Sequence, residues 1–117
     1  MTAVTQALFL TVVSFLFVHE LDAVRQREWR FFVAPVPVSD ELGYRLFTTL
    51  HVPLVVLILW YVASLPFQVG FDAFAIVHGL LHVGLREHPL LQFESRFSWV
   101  WILGGSSLGA LHLLLVL

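Results

Sequence analysis

The chain has no cysteine and no lysine, a single methionine, and charged side chains at only 12% of its 117 positions. Without cysteine, disulfides, thiolate metal sites and iron–sulfur clusters are all excluded. Six arginines against eight acids leave a formal net charge of −2, so there is no basic footprint for nucleic acid. What the chain has is apolar surface: 59% hydrophobic residues and a mean hydropathy of +0.90. Soluble domains carry roughly 45–50% apolar and about 25% charged residues, so this composition belongs in a lipid bilayer. The apolar stretch from Ala3 to Val18 lacks a basic lead-in, and His19-Glu20-Leu21-Asp22 follows it where a cleavage site would need small residues. It reads as a retained membrane helix, not a signal peptide.

The rest of the chain divides into four apolar stretches, expected as helices over about 3–32, 39–64, 70–86 and 95–116. The fold class is all-α, an integral membrane four-helix bundle forming one domain over 1–117. The first helix is expected to continue through its polar end to about Phe32, where Val33-Ala34-Pro35-Val36-Pro37-Val38 breaks it. Ser39 before Asp40 and Glu41 makes a good helix start, a cap followed by two acids at the positive dipole end. Pro53 should kink that second helix and free a carbonyl near Thr49, and Pro66 should follow its end. Ser95 can cap the fourth helix. Each stretch approaches the roughly 20 residues a bilayer requires. No internal repeat is apparent.

Arg25, Arg27, Arg30 and Arg45 flank the first loop and Arg86 and Arg96 flank the third, leaving the opposite side without a basic residue. The positive-inside rule then puts those loops in the cytoplasm and both termini outside.

Histidines and acids share one depth on that cytoplasmic side. Residues equidistant from a hairpin's turn lie level, which matches His19 with His51, and His51 with His82, with His78 about one turn deeper. His78 and His82 are four residues apart and project from one helix face, as a chelating pair does. His19 and Asp22 are three apart, so the carboxylate can bond the imidazole or join it as a ligand. Glu20 points about 100° away from His19 and suits the role of a base more than a ligand. His19-Glu20-Leu21-Asp22-Ala23 falls short of the H-E-x-x-H zinc motif because Ala23 stands in place of the second histidine.

Ionisable groups inside membrane segments are functional candidates. The first reading is a transition-metal site using His19, Asp22, His51, His78 and His82, with Glu20 as base. Nitrogen and oxygen ligands suit zinc or iron, and also manganese, nickel or copper. Two alternatives stay open. One is a bis-histidine haem in a slot for which Gly79, Gly104 and Gly105 would make room. The other is a structural or proton-relay network without catalysis. Whether the chain is an enzyme, and on what substrate, is left open by its residues.

Other features have simpler readings. Gly105 and Gly109 in G-x-x-x-G spacing should pack within the bundle, or else serve a homo-oligomer or membrane partner. Asp72 and His112 lie nearly equidistant from the last hairpin's loop and are expected to clasp each other away from the cytoplasmic layer. Trp29 and Arg30 should anchor at the membrane surface, Glu28 should pair with Arg25 or Arg45, and His88 should be solvated. Trp60, Tyr61, Trp99 and Trp101 read as belt or packing residues.

The sequences His19-Glu20-Leu21-Asp22-Ala23 with Glu28-Trp29-Arg30, Leu50-His51-Val52-Pro53, and His78 with Leu81-His82 resemble a family of small multi-pass prokaryotic membrane proteins of unknown function. Glu41-Leu42-Gly43-Tyr44, Phe67 to Asp72 and Leu103 to His112 fit it as well, so the resemblance spans nearly the whole chain. It implies a prokaryotic-type domain of unknown function and brings no reaction, cofactor or catalytic residue; the location expected for the chain is a bacterial inner or plasma membrane.

Overall fold

The computed structural model describes residues 2–117 and is all-α, with five helices and no strand among them. Helix α1 spans Ala3–Arg25, short α2 Trp29–Val33, α3 Asp40–Tyr61, α4 Leu65–Gly84 and α5 Arg96–Val116. Four of them, α1, α3, α4 and α5, are long and apolar enough to cross a membrane.

The helix starts follow capping chemistry. Thr2 and Thr5 form a reciprocal capping box at α1. The Ser39, Ser64 and Ser95 hydroxyls accept from the amides of Leu42, Phe67 and Ser98 at α3, α4 and α5. Helix α4 therefore begins at Leu65, five residues before the expected start, because proline fits the first helical turn and Pro66 begins this helix instead of only following the last one. Its end at Gly84 falls two residues short of the expected one. Helix α3 passes through Pro53 as one element.

The largest departure from the sequence reading is at the end of α1. The helix stops at Arg25, not near Phe32, because Arg27 takes a left-handed backbone conformation with φ 59°. The Glu28 amide donates to the Ala23 carbonyl and the Arg27 amide to the Val24 carbonyl, the paired bonds of a Schellman reversal. Glycine or asparagine usually occupies the left-handed position, so nothing in the local sequence announces this turn. The chain doubles back, and α2 follows as a separate short helix.

Helices α1, α4 and α5 make the compact part. Phe9, Val12, Val13 and Leu16 of α1 meet Phe71 and Ala75 of α4 in one buried cluster. Several small residues of α5 face α1 and α4. A side chain at Gly104 would strike the Phe15 ring, and Gly109 lies against Ala75 and the Asp72 backbone. Gly105 is also buried, facing Phe15, so both glycines of the G-x-x-x-G pair face helices of their own chain. Gly79 of α4 leaves no room for a β-carbon beside Ser106, whose hydroxyl donates to the Ala75 and Ile102 carbonyls.

Helix α3 stands apart. Only Gly43 and Ile58, near its two ends, are buried. Gly43 admits the ring of Trp29, which is buried and packs edge-on against Tyr44. Arg27 reaches Asp40 at 2.6 Å and ties the α1 turn to the start of α3.

Candidate metal centre

Two helical faces converge where the sequence put its histidines. His19 of α1 faces His78 and His82 of α4, with ring centroids 4.6 and 5.1 Å away. His78 and His82 sit 4.6 Å apart, as their four-residue spacing on one helix dictates. Gly79 lies between them in sequence and lets α4 close on α5, which keeps that face in place.

The fourth member is Glu28. The reversal at Arg27 carries it back over the end of α1, where its carboxylate lies 3.5 Å from His19 Nε2 and 3.6 Å from His82 Nε2. Each of His19, Glu28, His78 and His82 offers one ligand atom, and these atoms all lie within 4.8 Å of one another. Bonds of about 2.0–2.1 Å around a tetrahedral ion would put ligand atoms roughly 3.3 Å apart, and the two Glu28 contacts, each through a different carboxylate oxygen, are close to that edge.

The group is buried and short of partners. His19 is 1% exposed, Glu28 5% and His82 6%. Neither ring nitrogen of His19 has a hydrogen-bond partner among the described residues, nor does Glu28 Oε2. The separations of 3.5 and 3.6 Å are longer than good hydrogen bonds to a charged acceptor. Burial is the largest influence on Glu28 and pushes its pKa up. The contacts with His19 and His82 outweigh it and bring the pKa down to about 2, so the group is a carboxylate at neutral pH.

The remaining candidates lie beside this group, not within it. Glu20 points away from His19 toward α3, and its Oε2 meets His51 Nε2 at 2.6 Å. His51 Nδ1 donates to the Phe47 carbonyl at 2.7 Å, so both of its nitrogens are engaged. Glu20 Oε1 is still 3.9 Å from His19 Nε2, which makes Glu20 the neighbour of both histidines. Asp22 is buried, accepts only a long 3.5 Å contact from the Gln26 side chain, and is outside the four-ligand set. Thus three of the five residues expected as ligands come together, while His51 and Asp22 do not join them.

Glu28 was not among the expected ligands. On an uninterrupted helix it would lie roughly 13 Å along the axis from His19, out of reach. The expected pairing with Arg25 or Arg45 does not form either. Arg45 binds Glu41 at 2.8 Å and Arg27 binds Asp40. His88, expected in solvent, is half-buried against the Phe31 ring and accepts from the Leu90 amide at 3.1 Å. At the other end of α4 and α5, Asp72 Oδ2 and His112 Nδ1 meet at 2.6 Å with both side chains fully buried, the clasp their spacing implied.

An apolar cavity of about 260 Å³ adjoins the group. Glu28, His78 and His82 line it, and phenylalanines supply much of its remaining wall. His19 stands behind them, beside a void of only about 10 Å³ that it shares with His78.

Residues 5–117 match the model of a family of unknown function, DUF6713, and the chain belongs to that family. No curated protein and no solved structure matches it.

Proposed function

We propose that this member of a family without an assigned activity is an integral membrane protein that binds one transition-metal ion through His19, Glu28, His78 and His82. One observation carries the reading. His19 is buried, neither of its ring nitrogens is hydrogen-bonded, and it faces two further imidazoles and a buried carboxylate. Each orphaned buried polar atom costs about 1–3 kcal/mol, and a cation at the centre of the group turns that cost into coordination. Three neutral imidazoles and one carboxylate give zinc or iron a set of nitrogen and oxygen donors. The cavity beside three of the four ligands leaves space for a water or substrate at the ion. That favours a working centre over a closed structural one.

In this reading α1, α3, α4 and α5 are the spans of a four-helix membrane bundle. The arginine-flanked loops lie on the cytoplasmic side of a prokaryotic plasma membrane and both termini lie outside. The metal then sits in the cytoplasmic half. A bis-histidine haem fits less well, because imidazoles with centroids 4.6–5.1 Å apart leave no slot for a macrocycle between them.

Elemental analysis of detergent-purified protein, with an absorption spectrum of the same sample, tests the proposal. Stoichiometric metal without a Soret band, lost in His19→Ala and kept in His51→Ala, is the expected result. Loss in both variants would instead widen the ligand set to the Glu20–His51 pair. The contacts of Glu28 with two imidazoles also favour a second reading, a metal-free polar network that joins α1 to α4. Protein that stays metal-free after incubation with zinc and with ferrous iron would establish that one.

A further inference from the structure

The cleft beneath α3 is built differently from the rest of the molecule. Buried only near its ends, α3 leaves a row of cavities along its middle. One of about 260 Å³ touches the metal-ligand group, one of about 460 Å³ lies between α2 and α3, and one of about 310 Å³ lies between α3 and the α1–α4 face. They adjoin: Glu20 lines all three, Phe47 the first two, and Phe74 the first and third.

The walls are almost wholly apolar; Glu20, bonded to His51 at 2.6 Å, borders all three cavities, and the remaining ionisable groups, Glu28, His78 and His82, gather at the first. Glu28 and His82 are 5% and 6% exposed and line the first cavity, and Glu28 Oε2 has no hydrogen-bond partner. Val77 and Leu81 at the rim of that cavity are 52% and 55% exposed on helix faces that the membrane reading turns toward hydrocarbon. Individually, the cavities are near the small end of ligand pockets, about 300–1,000 Å³. Taken as one cleft they suit something long, apolar and narrow with a polar end.

We infer that the α3 cleft is a binding site for a single-chain lipid carrying an anionic oxygen head, its chain between α3 and the α1–α4 face and its head at His78, His82 and Glu28. The inference rests on the metal reading for the head: three imidazoles, one carboxylate and a divalent ion leave the centre at +1, which favours an anionic oxygen ligand. The chain's placement rests on the cleft alone. A chain sliding in from the bilayer crosses no water, and burying it among phenylalanines fills space that α3 leaves open.

The test uses the full chain in phosphatidylcholine vesicles with a diazirine-tagged decanoic acid. After photolysis, cross-links should concentrate on cleft residues such as Phe47, Phe74 and Val77 and spare Leu80 and Leu114 on outward faces. Val77→Trp, which fills the rim, should cut cleft labelling at least tenfold, and Leu80→Trp should leave it unchanged. Labels spread evenly over the apolar surface, or cleft labelling indifferent to Val77→Trp, would overturn the site whatever the metal does. In cobalt-loaded protein, decanoate should shift the visible cobalt band at concentrations where acetate does not. Cleft labelling with cobalt bound but no shift would overturn the placement of the head. Failure to bind cobalt or any other metal would overturn the metal reading and the head's placement together, leaving the labelling to decide on the chain.

Discussion

The molecule holds two buried histidine–acid groups, one near each end of the bundle, and they are finished to different degrees. Asp72 and His112 form one short contact of 2.6 Å, one carboxylate to one imidazole, and the Phe9 ring covers it. The other group sets three imidazoles around one carboxylate, and none of the separations recorded for that carboxylate is below 3.5 Å. One short contact between one acid and one imidazole can serve as a fastener, although Asp72 Oδ1 and His112 Nε2 have no hydrogen-bond partner among the described residues. The set of three bases to one acid leaves both ring nitrogens of His19 unmatched, and in the proposed reading a cation completes it. The same residue types thus build two different groups, and stoichiometry separates them.

The sharpest way to break this comparison is to remove one partner from the closed pair. His112→Ala leaves Asp72 buried alone, and breaking such a pair costs about 3–5 kcal/mol. Thermal unfolding in detergent should show that loss, while the metal content per folded chain stays at the wild-type level. If His112→Ala released metal from protein that remained folded, the two groups would be one coupled system.

The reciprocal change is Glu28→Gln. It keeps the shape and removes the charge. Replacing groups one shell beyond a metal costs about 10–100-fold in affinity, so loss of a direct carboxylate ligand should cost about 100-fold or more. Competition with a chelator of known affinity measures it. Unchanged affinity would take Glu28 out of the ligand set and restore the sequence reading, in which Asp22 supplies the oxygen.

Gly79→Ala should come next in size, and it touches both parts. The added methyl meets the Ser106 side chain and pushes α4 from α5, an overpacking worth about 1–3 kcal/mol. Because His78 and His82 ride on α4, unfolding temperature and metal affinity should fall together. A variant with wild-type affinity but reduced stability would mean that the α4 face holds its shape without α5.

How far the centre could be read in advance follows from the same geometry. Hairpin register fixes depth, and depth alone brings His19 level with α4's pair. The four-residue spacing of His78 and His82 adds direction, and both align. For His51 the depth was right and the direction was not, because residues level with one another can face different neighbours. Glu20, turned about 100° from His19, meets His51 first. The caps at Ser39 and Ser95 were legible because the hydroxyl and the helix start are adjacent in sequence. Glu28 was hidden for the opposite reason: its place depends on one backbone dihedral at Arg27, a residue type that seldom adopts it.

That dihedral gives the smallest and most specific prediction. A left-handed conformation costs a non-glycine residue about 1–2 kcal/mol, which Arg27→Gly would relieve. The substitution also gives up the contact with Asp40, between side chains 48% and 68% exposed, and an exposed pair of this kind contributes about 0–1 kcal/mol. Glycine adds its own entropic penalty in the unfolded chain. The net should be a change within about 1 kcal/mol, with metal affinity retained, since glycine preserves the reversal that delivers Glu28. Arg27→Val should behave in the opposite way. It touches no ligand, but a β-branched residue resists the left-handed region, so the turn should open and metal affinity should fall. Full affinity in Arg27→Val would mean that contacts of Glu28 with His19 and His82, and not the turn, hold the carboxylate in the group.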